Sequence, residues 1–224
     1  MMKTVTLASL CLASFMLSGC ATESSTTLQV QKVNAYNTSY QGIRSPIAVG
    51  KFENRSSYQN GIFSDGVDRL GNQSKTILLT HLQQTGRFNV LERTNMAELK
   101  AEAGLQGKAQ KLKGAAYVIT GDVTEFGRKD VGDQQLWGIL GRGKSQIAYA
   151  KVMLNVVNVE TSEVVFSAAG AGEYKLSSRE IIGFGGASGY DSTLNGKVLD
   201  LAIREAVNDL VSGIESGAWK PATH

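Results

Sequence analysis

Four places in the chain carry residue types that could do chemistry. Leu17-Ser18-Gly19-Cys20 closes the first apolar run, and its small residues Ser18 and Gly19 leave the backbone open to a peptidase. The stretch reads as a cut-and-acylate site, cleaved between Gly19 and Cys20. Gly138-Ile139-Leu140-Gly141-Arg142-Gly143-Lys144-Ser145 satisfies the phosphate-cradling pattern G-x-x-x-x-G-K-[ST] letter for letter. That chemistry needs a buried strand before the loop and a helix N-terminus after it. Here Arg128 to Gln135 is polar and Gln146 to Val157 is strand-like, so the match is read as coincidence. His81 lies near the apolar stripe of a helix, which offers no nucleophile elbow for a Ser-His-Asp arrangement. The other histidine is His224, at the last position, and two distant histidines with no free cysteine make no zinc site. Asp122 and Glu125 bracket a strand end, where carboxylates are solvated rather than paired for acid–base work. The expectation is a protein that is not an enzyme and holds no metal.

The segment around Cys20 has a secretory layout. Lys3 gives the positive start, Thr4 to Met16 the apolar centre, and the run is too short to span a membrane comfortably. Residues 1–19 are therefore read as a signal peptide. Leu-Ser-Gly-Cys resembles a bacterial lipobox, in which Cys20 takes a diacylglyceryl group and the new N-terminus is acylated. This covalent lipid is the one cofactor expected. Each buried methylene adds about 0.8 kcal/mol of membrane affinity, so several chains hold where one would not. Ala21, rather than Asp, after the cysteine matches an outer-membrane destination. Cys11 leaves with the signal and Cys20 is consumed by lipid, so stability must come from packing without a disulfide. Residues 20–42, rich in Ser, Thr, Gln and Asn, read as a flexible tether. A formal net charge of +3, with charges interspersed, argues against a nucleic-acid surface.

Residues 43–224 are the folded domain. Ile47 to Phe52 reads as a strand, followed by a polar loop from Ser57 to Gly66 that carries Tyr58, Asn60 and Phe63. Val67, Leu70, Ser74, Ile77, Leu78, His81 and Leu82 recur at helical spacing, and Gly86 ends that helix. Phe88 to Leu91 is a short strand, and Asn95 with Glu98 is a capping pair for a second helix through Ala103. Ala115 to Phe126 alternates as a strand. In Ser145 to Ser167, Ala148, Ala150, Val152, Leu154 and Val156 fall on one face before a turn over 159–164. Leu194 to Ile214 is an amphipathic helix. The order predicts an α/β (α+β) domain, a sheet covered by helices. Two Gly-rich excursions, Gly127 to Gly143 and Gly172 to Thr193, carry apolar patches at Leu136, Trp137, Ile139 and Leu140, and at Ile181, Ile182 and Phe184. Long loops without structure of their own are uncommon unless functional.

The lipobox, the Ile47 to Asn54 strand, Val90-Leu91-Glu92-Arg93, Ala115 to Gly121 and Val156-Val157-Asn158-Val159-Glu160-Thr161 together resemble the CsgG/HfaB family of curli and holdfast assembly. The resemblance implies an outer-membrane, lipid-anchored protein facing the periplasm. It implies a homo-oligomeric ring in which each subunit lends two β-hairpins, here at 127–150 and 172–197, to a shared barrel. Exported protein subunits and accessory periplasmic proteins would be its partners. Tyr58, Asn60 and Phe63 would line the pore constriction, or would simply pin a surface loop. The competing reading is a monomeric lipoprotein of similar fold that binds and regulates an envelope partner such as a peptidoglycan synthase.

Overall fold

The computed structural model describes residues 30–58, 66–134, 142–180 and 194–221, with residues 130–134, 142–145 and 176–180 described by strand pairing alone. Its packed unit, Lys32–His224, contains β1 (Ser45–Asn54), α1 (Arg69–Thr85), β2 (Phe88–Leu91), α2 (Met96–Leu105), β3 (Tyr117–Gln134), β4 (Arg142–Asn158), β5 (Val164–Glu180) and α3 (Leu194–Glu215). The sheet order is β2-β1-β3-β4-β5. β1 runs parallel to both β2 and β3, whereas β3, β4 and β5 are antiparallel neighbours. The mixture follows from the connections. Parallel neighbours need a crossover, which α1 and α2 with their loops supply, while antiparallel ones need only a turn. At the β4–β5 turn the Asn158 side-chain oxygen accepts the N–H groups of Glu160 (2.8 Å) and Thr161 (3.1 Å), and Ser162 takes φ 62°. An Asx turn of this kind closes the hairpin without glycine.

α1 packs on β1 and β2, α3 packs on β4 and β5, and the two helices meet. The alternating side chains of β4 explain why the sheet accepts them: Ala148, Val152, Leu154 and Val156 are wholly buried, as are Leu78, Leu82, Leu199, Ile203 and Leu210 on the helices. Each such side chain contributes roughly 1.5–3 kcal/mol by leaving water. α3 sits unusually close to β5. A Cβ on Gly170 would stand 2.0 Å from the Ala202 carbonyl oxygen and 2.4 Å from the Ala206 nitrogen. A Cβ on Gly172 would likewise stand 2.7 Å from the Leu201 Cβ. Trp219, buried just past α3, closes the lower end against Phe88, Tyr117 and Phe166, with ring centroids 5.2–6.3 Å apart.

Gly86 ends α1 in the left-handed conformation at φ 64°, as its position implied. β3 outruns the expected Ala115–Phe126 strand and continues to Gln134, paired with β4 as far as Gln134 opposite Arg142. Residues 127–134 and 142–149 thus pair as antiparallel limbs continuous with the sheet, and the residues between them lie outside those described. The second candidate hairpin is different: Gly172 to Glu180 pairs with β4, and α3 begins at Leu194, so the helix claims the last part of the 172–197 interval. The Asn95–Glu98 capping box does not form, because the Asn95 side chain makes no cap bond. The Asn95 N–H, which the Glu98 side chain would have bonded, donates to the Glu92 carboxylate, as does that of Thr94. The tether expected over 20–42 is shorter among the described residues. Val33 and Ala35 are buried, and the Asn34 N–H donates to Asn208 of α3.

Candidate functional site

The place where the sheet leaves the helices gathers the polar residues that sequence reasoning could weigh only singly. The loop after β1 is held by Asn54. Its N–H donates to Asp68 (2.8 Å), its side-chain amide donates to the Tyr58 carbonyl (2.8 Å), and its side-chain oxygen accepts from Ser56. Asp68 is also the N-cap of α1, accepting the Gly71 N–H at 2.7 Å, so loop and helix are locked through one carboxylate. Cβ on Gly71 would collide with that carboxylate and with the Phe52 carbonyl, both 2.4 Å away, so only glycine fits there.

From this base Tyr58 leans on Phe126 of β3, ring centroids 4.7 Å apart. Its hydroxyl accepts from the Asn195 side-chain amide (3.4 Å), whose oxygen accepts from Arg128 Nε (2.8 Å). The loop, the emerging strand and the first turn of α3 are thereby joined. Tyr58 is a packed, half-buried post at that junction. Asn60 and Phe63 lie outside the described residues, as do Gly19, Cys20, Leu136, Trp137, Ile139, Leu140, Ile181, Ile182 and Phe184. Beside the junction Arg55 donates to Asp122 and to Glu53, each at 2.8 Å. Lys51, first, and then Arg55 hold the Glu53 carboxyl below its ordinary range.

The remaining candidates resolve into structural roles. Gly143, Lys144 and Ser145 lie within β4, paired on both sides, so no helix N-terminus follows the phosphate-loop pattern. His81 is buried, with Nε2 2.9 Å from Asp200 of α3 and Nδ1 3.3 Å from Gln84. It joins α1 to α3 across the core. Among the described residues no group of three His, Cys, Asp or Glu side chains could hold a metal ion. No helix there is long and apolar enough to cross a membrane.

Sequence reasoning missed Arg87. It is 4% exposed, directly after the cap of α1, and donates through Nε and Nη2 to Glu215 and through Nη1 to the carbonyls of Thr85 and Thr38. Its guanidinium also lies 4.9 Å from the Tyr40 ring. With Asn34, Asn208 and Ser212 it lines a cleft of about 330 Å³ between the 34–38 turn and α3. An arginine between a C-cap glycine and a strand gives no sign of burial until α3 brings Glu215 to it.

Fold and junction together define a helix-backed mixed sheet with an antiparallel three-strand ribbon running out of it. The chain belongs to the family described as "Curli production assembly/transport component CsgG", whose model matches residues 28–223. It is 72% identical over 221 residues to a protein of Neisseria meningitidis serogroup B (strain ATCC BAA-335 / MC58) named "Putative lipoprotein NMB1126/NMB1164", covering 98% of this chain and 99% of that one. Among solved structures, the PelC dodecamer from Paraburkholderia phytofirmans is similar at 16% identity and TM-score 0.37, covering 77% of this chain and 94% of its own. Lipoprotein GNA1162 from Neisseria meningitidis is similar at 14% identity and TM-score 0.36, covering 78% and 97%.

Proposed function

We propose that this chain is a lipid-anchored subunit of an oligomeric outer-membrane export channel, with its folded domain in the periplasm and its acyl chains on Cys20. It makes and breaks no bond; it would pass protein subunits of surface fibres or adhesins, with accessory periplasmic proteins as helpers. One observation carries this reading. Beyond Asn54 opposite Val123, β3 has no strand on its outer side among the described residues, and β5 is the opposite edge of the sheet. The ribbon therefore has two strand edges with no neighbouring strand among the described residues, and such edges can pair with another chain. A contact of one subunit's β5 edge with the next subunit's β3 side is head-to-tail, and repeated rotation of such a contact closes a ring. Because β3 and β5 run in the same direction, an all-antiparallel barrel calls for a return limb drawn from residues 181–193. The apolar Leu136 to Leu140 and Ile181 to Phe184 follow the same end of the ribbon, where Gln134, Arg142 and Glu180 are in register.

A second reading is favoured by a different observation. The ribbon carries charge on both faces: Lys129, Ile147 and Lys175 share one face, Arg128 and Gln146 the other. A lipid-facing strand needs one apolar side. Ribbons of this polarity suit a wetted arm on a monomeric lipoprotein that binds and regulates an envelope partner. Electrophoresis after mild detergent extraction, with planar-bilayer recording, separates the two. The channel reading expects a heat-resistant oligomer and a conductance that deleting 128–143 abolishes. A monomer silent in bilayers would overturn it in favour of the binding module.

A further inference from the structure

A second surface, away from the ribbon, carries chemistry that the channel reading does not use. α2 buries none of its residues and makes no extensive contact with another element among those described. Leu99 is 42% exposed, Leu105 82% and Leu112 61%. From Arg93 to Lys113 the chain carries Arg93, Lys100, Lys108, Lys111 and Lys113 against Glu98 and Glu102, and beyond Glu102 its only charged residues are the last three lysines. All three lysines are exposed. The excursion is closed at its base, where Arg93, just before α2, donates to the Lys113 carbonyl. Exposed leucines and lysines thus lie along a single flap whose two ends are joined at its base.

The geometry points to this flap, Arg93 to Lys113, as a docking surface for an anionic lipid bilayer. Leucines that enter the headgroup boundary bury apolar area, and lysines beside them meet lipid phosphates. The charge argues for an anionic occupant. Its form argues for a lipid surface over an acidic protein segment: a helix with no fully buried residue offers no deep groove, and a fluid interface asks for no shape complementarity. The contact would add a second attachment to a membrane-held domain, and it requires neither a ring nor a barrel.

Hydrogen–deuterium exchange of the full chain tests this segment by segment. The protein is mixed with phosphatidylcholine vesicles, with vesicles containing phosphatidylglycerol, or with poly-glutamate. The expected result is protection of the 99–113 amides on phosphatidylglycerol vesicles only, lost at high salt. Neutralising Lys108, Lys111 and Lys113 to glutamine should weaken that binding about fivefold for each lysine. Leu105→Ser with Leu112→Ser should weaken it without changing the salt dependence. Equal exchange on both vesicle types would overturn the proposal, as would protection by poly-glutamate alone, which would mark an acidic protein partner. A lipid at Cys20 would hold the chain on both vesicle types alike, so its presence or absence leaves the comparison readable. Failure of the channel experiments would not affect this result, nor the reverse.

Discussion

Replacing Gly170 with alanine should destabilise the fold more than any other single methyl group added to the sheet. The new Cβ would stand 2.0 Å from the Ala202 carbonyl oxygen and 2.4 Å from the Ala206 nitrogen. Real Cβ atoms do not approach closer than about 3 Å, so α3 would have to retreat by about 1 Å along most of its contact with β5. The obstacle is helix backbone, which has no alternative rotamer to adopt. Overpacking of this kind costs about 1–3 kcal/mol and sometimes more. Against it stands the lower entropy of an alanine in the unfolded chain, a gain of about 0.4–1 kcal/mol. Gly170 is not among the positive-φ glycines, so the loss is steric rather than conformational. A net loss of about 2 kcal/mol corresponds to roughly 4–8 °C in melting temperature for a chain of this size. Gly104→Ala in α2 is the matching control, since its Cβ would meet nothing within 4 Å. It should be neutral or stabilise by up to about 1 kcal/mol. Thermal denaturation followed by circular dichroism measures both. An unchanged or raised midpoint for Gly170→Ala would refute the close packing of α3 on β5.

Leu78, fully buried on α1, should lose about 2–5 kcal/mol on truncation to alanine, read from the urea midpoint at constant slope. Arg87→Met should cost about 2 kcal/mol or more, because the Thr85 and Thr38 carbonyls lose their donor and Glu215 its partner. The half-exposed Glu215 can turn to water, which keeps that cost below the range for a wholly buried pair. Backbone N–H groups, first that of Thr94, hold the Glu92 carboxyl below its ordinary range. Its contribution to the start of α2 is therefore present above the ordinary carboxylate pKa and is lost as pH falls through the lowered folded value. The stability gap between the parent and Glu92→Gln should shrink on acidification from pH 7 toward pH 3. A gap that widened would contradict the assigned hydrogen bonds.

How far the fold could be read depended on how local each cause was. β4 declared itself because every second residue from Ala148 to Val156 is apolar, and those residues are the buried ones. α1 was marked by its three-and-four spacing and by Gly86. The β3 extension to Gln134 was not legible as a strand, since Arg128, Lys129 and Asp130 alternate with nothing hydrophobic. Pairing with β4 holds them there. The Asn95–Glu98 pattern misled because the Asn95 N–H, which the Glu98 side chain would have bonded, donates to the Glu92 carboxylate instead. Of the candidate site, Tyr58 could be suspected as an anchored aromatic, but its partners come from β3 and α3, far along the chain.

By itself the sequence determined the elements whose forces act within a few residues: apolar alternation, helical spacing, a left-handed cap, and a lipobox-like address at Cys20. Tertiary structure decided everything that needs two distant segments at once. Gly170 counts as a contact only when α3 lies on it, Arg87 becomes an internal brace only when Glu215 arrives, and His81 spans the core only through Asp200. The division has one physical cause: backbone propensity and solvent preference are properties of neighbouring residues, while close packing and the satisfaction of buried polar groups belong to whichever surfaces the chain brings together.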